Sequence, residues 1–386
     1  MQAVKIAENI YWVGAIDWSM RSFHGYATSR GSTYNAYLIL DDKVTLIDTV
    51  KEPFKEELLA RISSVIDPSS IDVIVSSHVE PDHSGSLPFM MEHCPKATIY
   101  TSFPQGLKGL TARYGMLRYE PVKAGDILKI GKHTLQFVPT PMLHWPDSMV
   151  TYCPEAKILF SNDAFGQHYA TSKRFDDEND LSVLFYEAKK YYANILMLYG
   201  MQAQKAMKAL APLDIQMIAT GHGIIWRKHI QKILAAYQKW SSFELEDKAV
   251  VVFDSMWGTT ESMAKTITEA FRDKGMPVSY YDIKKNEMSD IVTDILTSKY
   301  LAVGSPTINN QMMPTIAGFL CYLKGLAPKN HKAFAFGSYG WGGQSIQQVD
   351  QELRIAGCDI AIPMIRVANK MTEKDEDNIR AAIQAL

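Results

Sequence analysis

The chain has 386 residues, of which 47% are apolar and 21% charged, and a formal net charge of -2. That length exceeds one ordinary core and suits two domains of roughly 100–250 residues each. Acidic and basic residues are mixed along it, so no basic block offers a surface for nucleic acid or an anionic membrane.

The first residues, MQAVKIAENIYWVG, lack the charged and apolar regions of a signal peptide. No apolar run approaches the ~20 residues that cross a bilayer. Cys94, Cys153, Cys321 and Cys358 are scattered and form no CxxC. Reduced thiols in a cytoplasmic protein are therefore expected. Up to about residue 240 the apolar runs are short and strand-like: 34–40, 44–50, 71–78, 97–102, 133–141 and 157–163. Helical periodicity appears at 52–64, 182–197, 201–211 and 228–240. Many strands with fewer helices predict a layered α/β sandwich. The stretch 240–249 reads as a linker. From 248 onward, strands at 249–255, 278–283, 300–306, 333–338 and 360–367 alternate with amphipathic segments near 260–274, 313–324, 343–357 and 373–386. That alternation predicts a doubly wound parallel sheet of flavodoxin-like type. The expected domains are 1–247 and 248–386.

The run 71–78 ends in HVEPDH, which places His78, Glu80, Asp82 and His83 where a strand leaves its sheet. His144, Asp163 and His222 stand at similar strand ends. A polar loop that merely contains two histidines would not explain these three. The pattern resembles the metallo-β-lactamase fold over residues 1–245, including Asp48 as a strand-end structural acid. Glu80 stands where the zinc hydrolases of that fold carry histidine. Added carboxylate favours harder, redox-active ions over zinc, and a carboxylate can bridge two cations. His78, Glu80 and His144 would hold one metal, Asp82, His83 and His222 the other, and Asp163 would bridge them. HxExDH is the pattern of the flavodiiron proteins, and all seven positions match that family. The segments DWSMRSFHGYATSRGSTYNAYLI and KYYANI also resemble it, so that His24 and Tyr192 correspond to residues lining its diiron pocket. His93, His133, His168, His229 and His331 have no such context and read as structural or surface residues.

In the second half, a strand runs into Ser255, Met256, Trp257, Gly258, Thr259 and Thr260 ahead of a helix. Hydroxyls and backbone N–H groups at a helix N-terminus suit a phosphate. The loop is neither a Walker A loop nor a GxGxxG turn, which favours a mononucleotide among phosphate ligands; the plainer reading, a Ser/Thr-rich helix cap, is opposed by two further loops. Two later loops meet it at the switch point of such a sheet: Ser305, Pro306, Thr307, Ile308, Asn309 and Asn310, then Ser338, Tyr339, Gly340, Trp341, Gly342 and Gly343. Together they resemble the flavodoxin FMN site.

The resemblance to flavodiiron proteins spans nearly the whole chain. It implies a cytoplasmic oxidoreductase with a non-haem pair of iron ions and FMN, reducing dioxygen to water, nitric oxide to nitrous oxide, or both. It further implies a head-to-tail homodimer or a dimer of such dimers, and a rubredoxin-type electron donor or a reduced deazaflavin. Because the chain ends at Leu386, just after the flavodoxin-like region, that donor is expected to be a separate molecule. The same ligands serve either gas, so the sequence leaves the preference open. Two other readings are a zinc-dependent hydrolase fused to a flavodoxin, which Glu80 opposes, and a plain electron carrier, which the complete ligand set opposes.

Overall fold

The structure, a computed structural model, describes residues 1–386. The short apolar runs of the first part pair into two sheets. One has seven strands in the order Val4–Ala7, Ile10–Trp12, Tyr37–Ile39, Val44–Ile47, Ile71–Ser76, Thr98–Ser102 and Tyr119–Val122. It is antiparallel as far as Val44–Ile47 and parallel beyond. Parallel neighbours need crossovers, and the helices Lys55–Ser63, Leu87–His93 and Gln105–Tyr114 supply them. The other sheet runs Ile127–Lys129, Thr134–Pro139, Met149–Cys153, Ile158–Asn162 and Met217–Thr220.

Strand Ile71–Ser76 shows why its sequence is continuously apolar. Val73 and Val75 join Phe137, Met149, Phe160 and Ala219 of the other sheet in one buried cluster. Ile74, on the opposite face, packs with Leu58, Ile62, Leu87 and Leu110 of the crossover helices. Successive side chains alternate faces, and both faces of this strand are covered. The layering is the αββα sandwich expected.

The later strands form one parallel sheet in the order Val278–Asp282, Glu246–Phe253, Ser298–Gly304, Lys332–Tyr339 and Asp359–Ile360, with Ile365–Ala368 also on Lys332–Tyr339. The second strand of this sheet in chain order, Val278–Asp282, thus lies outside the first, Glu246–Phe253, which is the flavodoxin-like order. Two details depart from the sequence expectation. The strand predicted over 360–367 is split in two around Pro363, which cannot donate to a ladder. Helix Met288–Ile295 has no counterpart among the predicted elements. It is one of the shorter helices, and its β-branched Ile291, Val292, Thr293 and Ile295 weaken the helical signal.

The chain divides into two compact units: Met1–His24, Thr28–Tyr191 and Met201–Gln238 in one, and Gly25–Ala27, Tyr192–Gly200 and Lys239–Leu386 in the other. Hydrogen bonds tie the two early segments into the second unit. Tyr322 donates its hydroxyl proton to Asn194 Oδ1 (2.6 Å), Asn194 Nδ2 donates to the Ser289 carbonyl (3.2 Å), and Ala27 N–H donates to Ser289 Oγ (3.2 Å). No helix is long and apolar enough to cross a membrane.

Candidate metal centre and phosphate loop

Pro81 opens a one-turn helix, Pro81–Ser84, directly after strand Ile71–Ser76 and residues 77–80. That tight turn brings His78, Glu80, Asp82 and His83 back over the strand end. With His144, Asp163 and His222 they form two groups of potential ligands: His78, Glu80, His144 and Asp163, and Asp82, His83 and His222. Donor atoms within each group lie within 4.8 Å of one another. None of the seven residues is more than 8% exposed.

Asp163 faces both groups. Its Oδ2 lies 3.4 Å from His144 Nε2 and 3.7 Å from His78 Nε2, and its Oδ1 lies 3.0 Å from His83 Nε2 and 3.4 Å from His222 Nε2. Glu80 Oε2 stands 3.2 Å from both His78 Nε2 and His144 Nε2, and Asp82 Oδ2 stands 3.2 Å from His222 Nε2. Several of these atoms are close without being aligned as hydrogen bonds. Both carboxylate oxygens of Asp82 and of Asp163, with His83 Nε2 and His222 Nε2, are buried and have no hydrogen-bond partner. Buried polar atoms are normally satisfied, and buried carboxylates this close require positive charge. Without a cation the imidazoles supply it. Burial alone would lower His222 and His144, but neighbouring Asp163, with Asp82 or Glu80, pushes them up to about 10 and about 9. Burial would raise Asp163, but His83, His144 and His222 hold it well below the usual carboxylate range. A mixed set of imidazoles and carboxylates in two groups sharing one carboxylate fits a pair of first-row metal ions.

Neighbouring groups fix the rings. His78 Nδ1 lies 2.9 Å from Asp147 Oδ2, which also accepts from Val79 N–H (2.6 Å). His222 Nδ1 is 2.7 Å from the Thr33 carbonyl. A carbonyl only accepts, so Nδ1 carries a proton, and Nε2 is the nitrogen turned toward the cluster, where its lone pair is free for a cation once its own proton is lost. The GHG spelling around His222 has a steric cause: a Cβ on Gly221 would sit 2.9 Å from His83 Cε1 and from Asn162 C. Asp48, the expected strand-end acid, accepts from Ser77 N–H (2.7 Å) and Asn162 Nδ2 (3.3 Å).

His24 Nε2 lies 2.5 Å from Glu80 Oε1 and keeps 56% of its side chain exposed. Tyr192 belongs to the second unit, where it is buried with its ring 5.4 Å from that of Trp240. Asp147 and Thr33 were not singled out from the sequence. His168, read as structural or surface, is buried with its ring 4.8 Å from that of His222 and its Nδ1 2.7 Å from Ser32 Oγ. A larger hollow of about 820 Å³, lined by Met201, Met207, Leu210 and Leu234 among others, contains none of the clustered residues.

In the second unit, strand Glu246–Phe253 leads through Ser255–Gly258 into helix Thr259–Asp273. Gly258 has φ +89°, a conformation that L side chains rarely adopt. Ser255 Oγ accepts from Gly258 N–H (3.1 Å) and Glu261 N–H (3.3 Å), which fixes the turn. The three predicted loops meet. Thr260 and Ser338 hydroxyls lie 2.8 Å apart, and Thr307 N–H donates to the Ser338 carbonyl (3.0 Å). Met256, Trp257, Thr259, Pro306, Thr307, Ser338, Tyr339 and Gly340 line a hollow of about 170 Å³. Ser255, Gly258, Thr260, Ser305, Ile308, Asn309, Asn310, Trp341, Gly342 and Gly343 lie on the same loops without lining it. Asn369, after the last strand, does line it and was missed. Its carbonyl accepts from Thr259 Oγ1 (2.8 Å). Trp257 and Trp341 are 94% and 95% exposed, flat aromatic surfaces beside the hollow loops. A hydroxyl-rich helix N-terminus flanked by exposed aromatics fits a flavin mononucleotide.

Residues 33–223 match a family model described as ODP family beta lactamase, and residues 251–382 match Flavodoxin. The chain is 44% identical over 365 residues to a nitric oxide reductase of Moorella thermoacetica, covering 93% of this chain and 91% of that protein. It is 41% identical to the rubredoxin-oxygen oxidoreductase of Megalodesulfovibrio gigas, covering 100% and 98%. The solved flavodiiron protein of Giardia intestinalis superposes with a TM-score of 0.97 at 38% identity, covering 100% of this chain and 96% of that one. The chain belongs to the flavodiiron protein family.

Proposed function

We propose that the chain is a diiron flavoenzyme that reduces dioxygen to water, nitric oxide to nitrous oxide, or both. The observation that carries this reading is the pair of ligand groups facing the two oxygens of Asp163. His78, Glu80 and His144 would hold one iron, Asp82, His83 and His222 the other, with Asp163 bridging. When bound, such a pair supplies electrons and open positions for a diatomic gas, while FMN stores two electrons more.

The chain's own residues do the rest. Asp147 and the Thr33 carbonyl orient His78 and His222 so that their Nε2 atoms face inward. Ordered donors and acceptors in a water-poor site strengthen every electrostatic interaction there. His24, half exposed against Glu80, is placed to hold a hydrogen bond or a proton at that carboxylate's Oε1. Tyr192 enters as a second such group on the family resemblance alone. Residues 1–247 would form the metal-holding domain and 248–386 the FMN-binding domain, using Ser255–Thr260, Ser305–Asn310 and Ser338–Gly343.

Dioxygen reduction takes four electrons and nitric oxide reduction two per nitrous oxide, so an external donor is required. A rubredoxin-type protein or a reduced deazaflavin fits that role. Relatives are named for rubredoxin, for oxygen and for nitric oxide. A head-to-tail homodimer or dimer of dimers, and a cytoplasmic location in keeping with four free cysteines, complete the proposal.

The test is anaerobic purification with iron and FMN quantified, followed by parallel electrode assays of both gases with reduced rubredoxin. About two irons and one FMN per chain with gas consumption is expected. Zinc alone would favour the hydrolase reading, and an iron- and flavin-replete protein that consumes neither gas would sink the proposal.

A further inference from the structure

The phosphate loop has no lysine of its own, yet one reaches it from another strand end. Lys284, two residues beyond strand Val278–Asp282, donates from Nζ to the Ser255 carbonyl (2.6 Å) and lies 2.8 Å from Asp254 Oδ1. Asp254 is fully buried between strand Glu246–Phe253 and the loop. Its Oδ2 accepts from Thr315 Oγ1 (2.5 Å), in the first turn of helix Pro314–Leu326. One buried carboxylate therefore gathers the root of the phosphate loop, the chain after the next strand, and the helix that follows the 304–314 loop.

This arrangement has a directional consequence. In a trans peptide the C=O and N–H point opposite ways. Lys284 and Thr315 line one hollow, and Met256 lines another, the one between the three loops. Holding the Ser255 carbonyl on the lysine side turns the Met256 N–H to the side away from Lys284, and Met256 itself lines the hollow between the loops. Lys284 has 46% of its side chain exposed, yet swinging into water would leave Asp254 buried and unpaired. That penalty keeps the lysine in place.

We propose that Asp254 and Lys284 are positioning residues that aim the Met256 N–H at the phosphate of FMN and so set the affinity for phosphorylated flavin. This rests on the FMN reading above. The test uses the full chain stripped of flavin and titrated with FMN and with riboflavin, which lacks the phosphate, following flavin fluorescence. Lys284→Met is expected to weaken FMN about ten-fold, the worth of one well-placed hydrogen bond to a charged group, and riboflavin less than about two-fold. Asp254→Asn, which releases the lysine, weakens FMN in the same direction. The double variant, with no unpaired buried charge, is no worse than Lys284→Met alone and shows by its melting temperature that the fold is kept. Equal losses for FMN and riboflavin, or unchanged FMN affinity in every variant, would overturn the proposal. A wild-type chain that binds neither flavin would overturn the FMN reading itself, and this inference with it.

Discussion

Replacing Asp147 by alanine tests whether the metal centre depends on a carboxylate that is not itself a ligand. Asp147 is 4% exposed, and its Oδ2 serves two donors, His78 Nδ1 at 2.9 Å and Val79 N–H at 2.6 Å. Each hydrogen bond to a buried charge is worth roughly 1.5–3 kcal/mol net. Removing the carboxylate that orients a metal-binding imidazole typically weakens metal binding about 10–100-fold, or ~1.4–2.7 kcal/mol. The two figures describe different losses. The freed imidazole lowers metal affinity, and the orphaned Val79 N–H lowers the stability of the metal-free fold. Asp147→Asn should fall between wild type and alanine, because its carbonyl oxygen can still accept from both donors but carries no charge to strengthen either bond. Anaerobic competition for iron against a chelator of known affinity measures the first loss, and thermal unfolding in metal-free buffer measures the second. If Asp147→Ala melts lower yet retains iron as wild type does, Asp147 only supports the fold and the argument about His78 is wrong.

Gly221→Ala should lower both iron content and melting temperature, because the new Cβ would lie 2.9 Å from His83 Cε1 and from the Asn162 backbone; metal analysis and thermal unfolding of the purified variant check this. His331 is buried, which pushes its imidazole down to about 4 against the opposing Ser298 carbonyl. The unfolded chain takes up that proton near 6.5, so stability is full above that pH and falls by about 3 kcal/mol as the pH drops toward 4. Urea unfolding of His331→Asn at pH 7.5 and 4.5 should show a correspondingly smaller loss; an identical loss refutes the assignment. Asp41 has the lower window. Burial would raise it, but the N–H groups of Lys132, His133 and Asp42 hold it at about 2. Asp41→Asn should cost about 2 kcal/mol at pH 7 and remove the part of the stability that wild type loses between pH 4 and 2, which an acid titration of unfolding would show.

The sequence displayed the candidate metal cluster because its chemistry is local. His78 through His83 are nearly contiguous, and His144, Asp163 and His222 each follow an apolar strand-like run. Asp147 sits three residues beyond His144 and carries no such mark: its importance lies in which ring it faces, and only the fold decides that. Thr33 contributes a backbone carbonyl, which any residue would supply. Asn369 follows the same strand-to-loop logic that exposed the other three loops of the candidate flavin site. Its recorded contact is a backbone carbonyl that accepts from Thr259, which any residue would supply, so its side-chain type carries no signal. The helix Met288–Ile295 stayed hidden behind its β-branched residues. The unit boundaries were the least legible feature, since Gly25–Ala27 and Tyr192–Gly200 join the second unit through contacts with residues such as Ser289 and Tyr322, far away along the chain.

Those two early stretches bear on any attempt to dissect the molecule. A recombinant fragment starting near residue 248 would omit Asn194, so the Tyr322 hydroxyl and the Ser289 carbonyl would each lose a bonding partner. Helices Met288–Ile295 and Pro314–Leu326, which pack against residues 192–199, would be stripped of cover that includes the buried Leu196 and Met197. Such a fragment should be less soluble than a free-standing flavodoxin, and a faithful excision would have to graft the 192–200 stretch onto it.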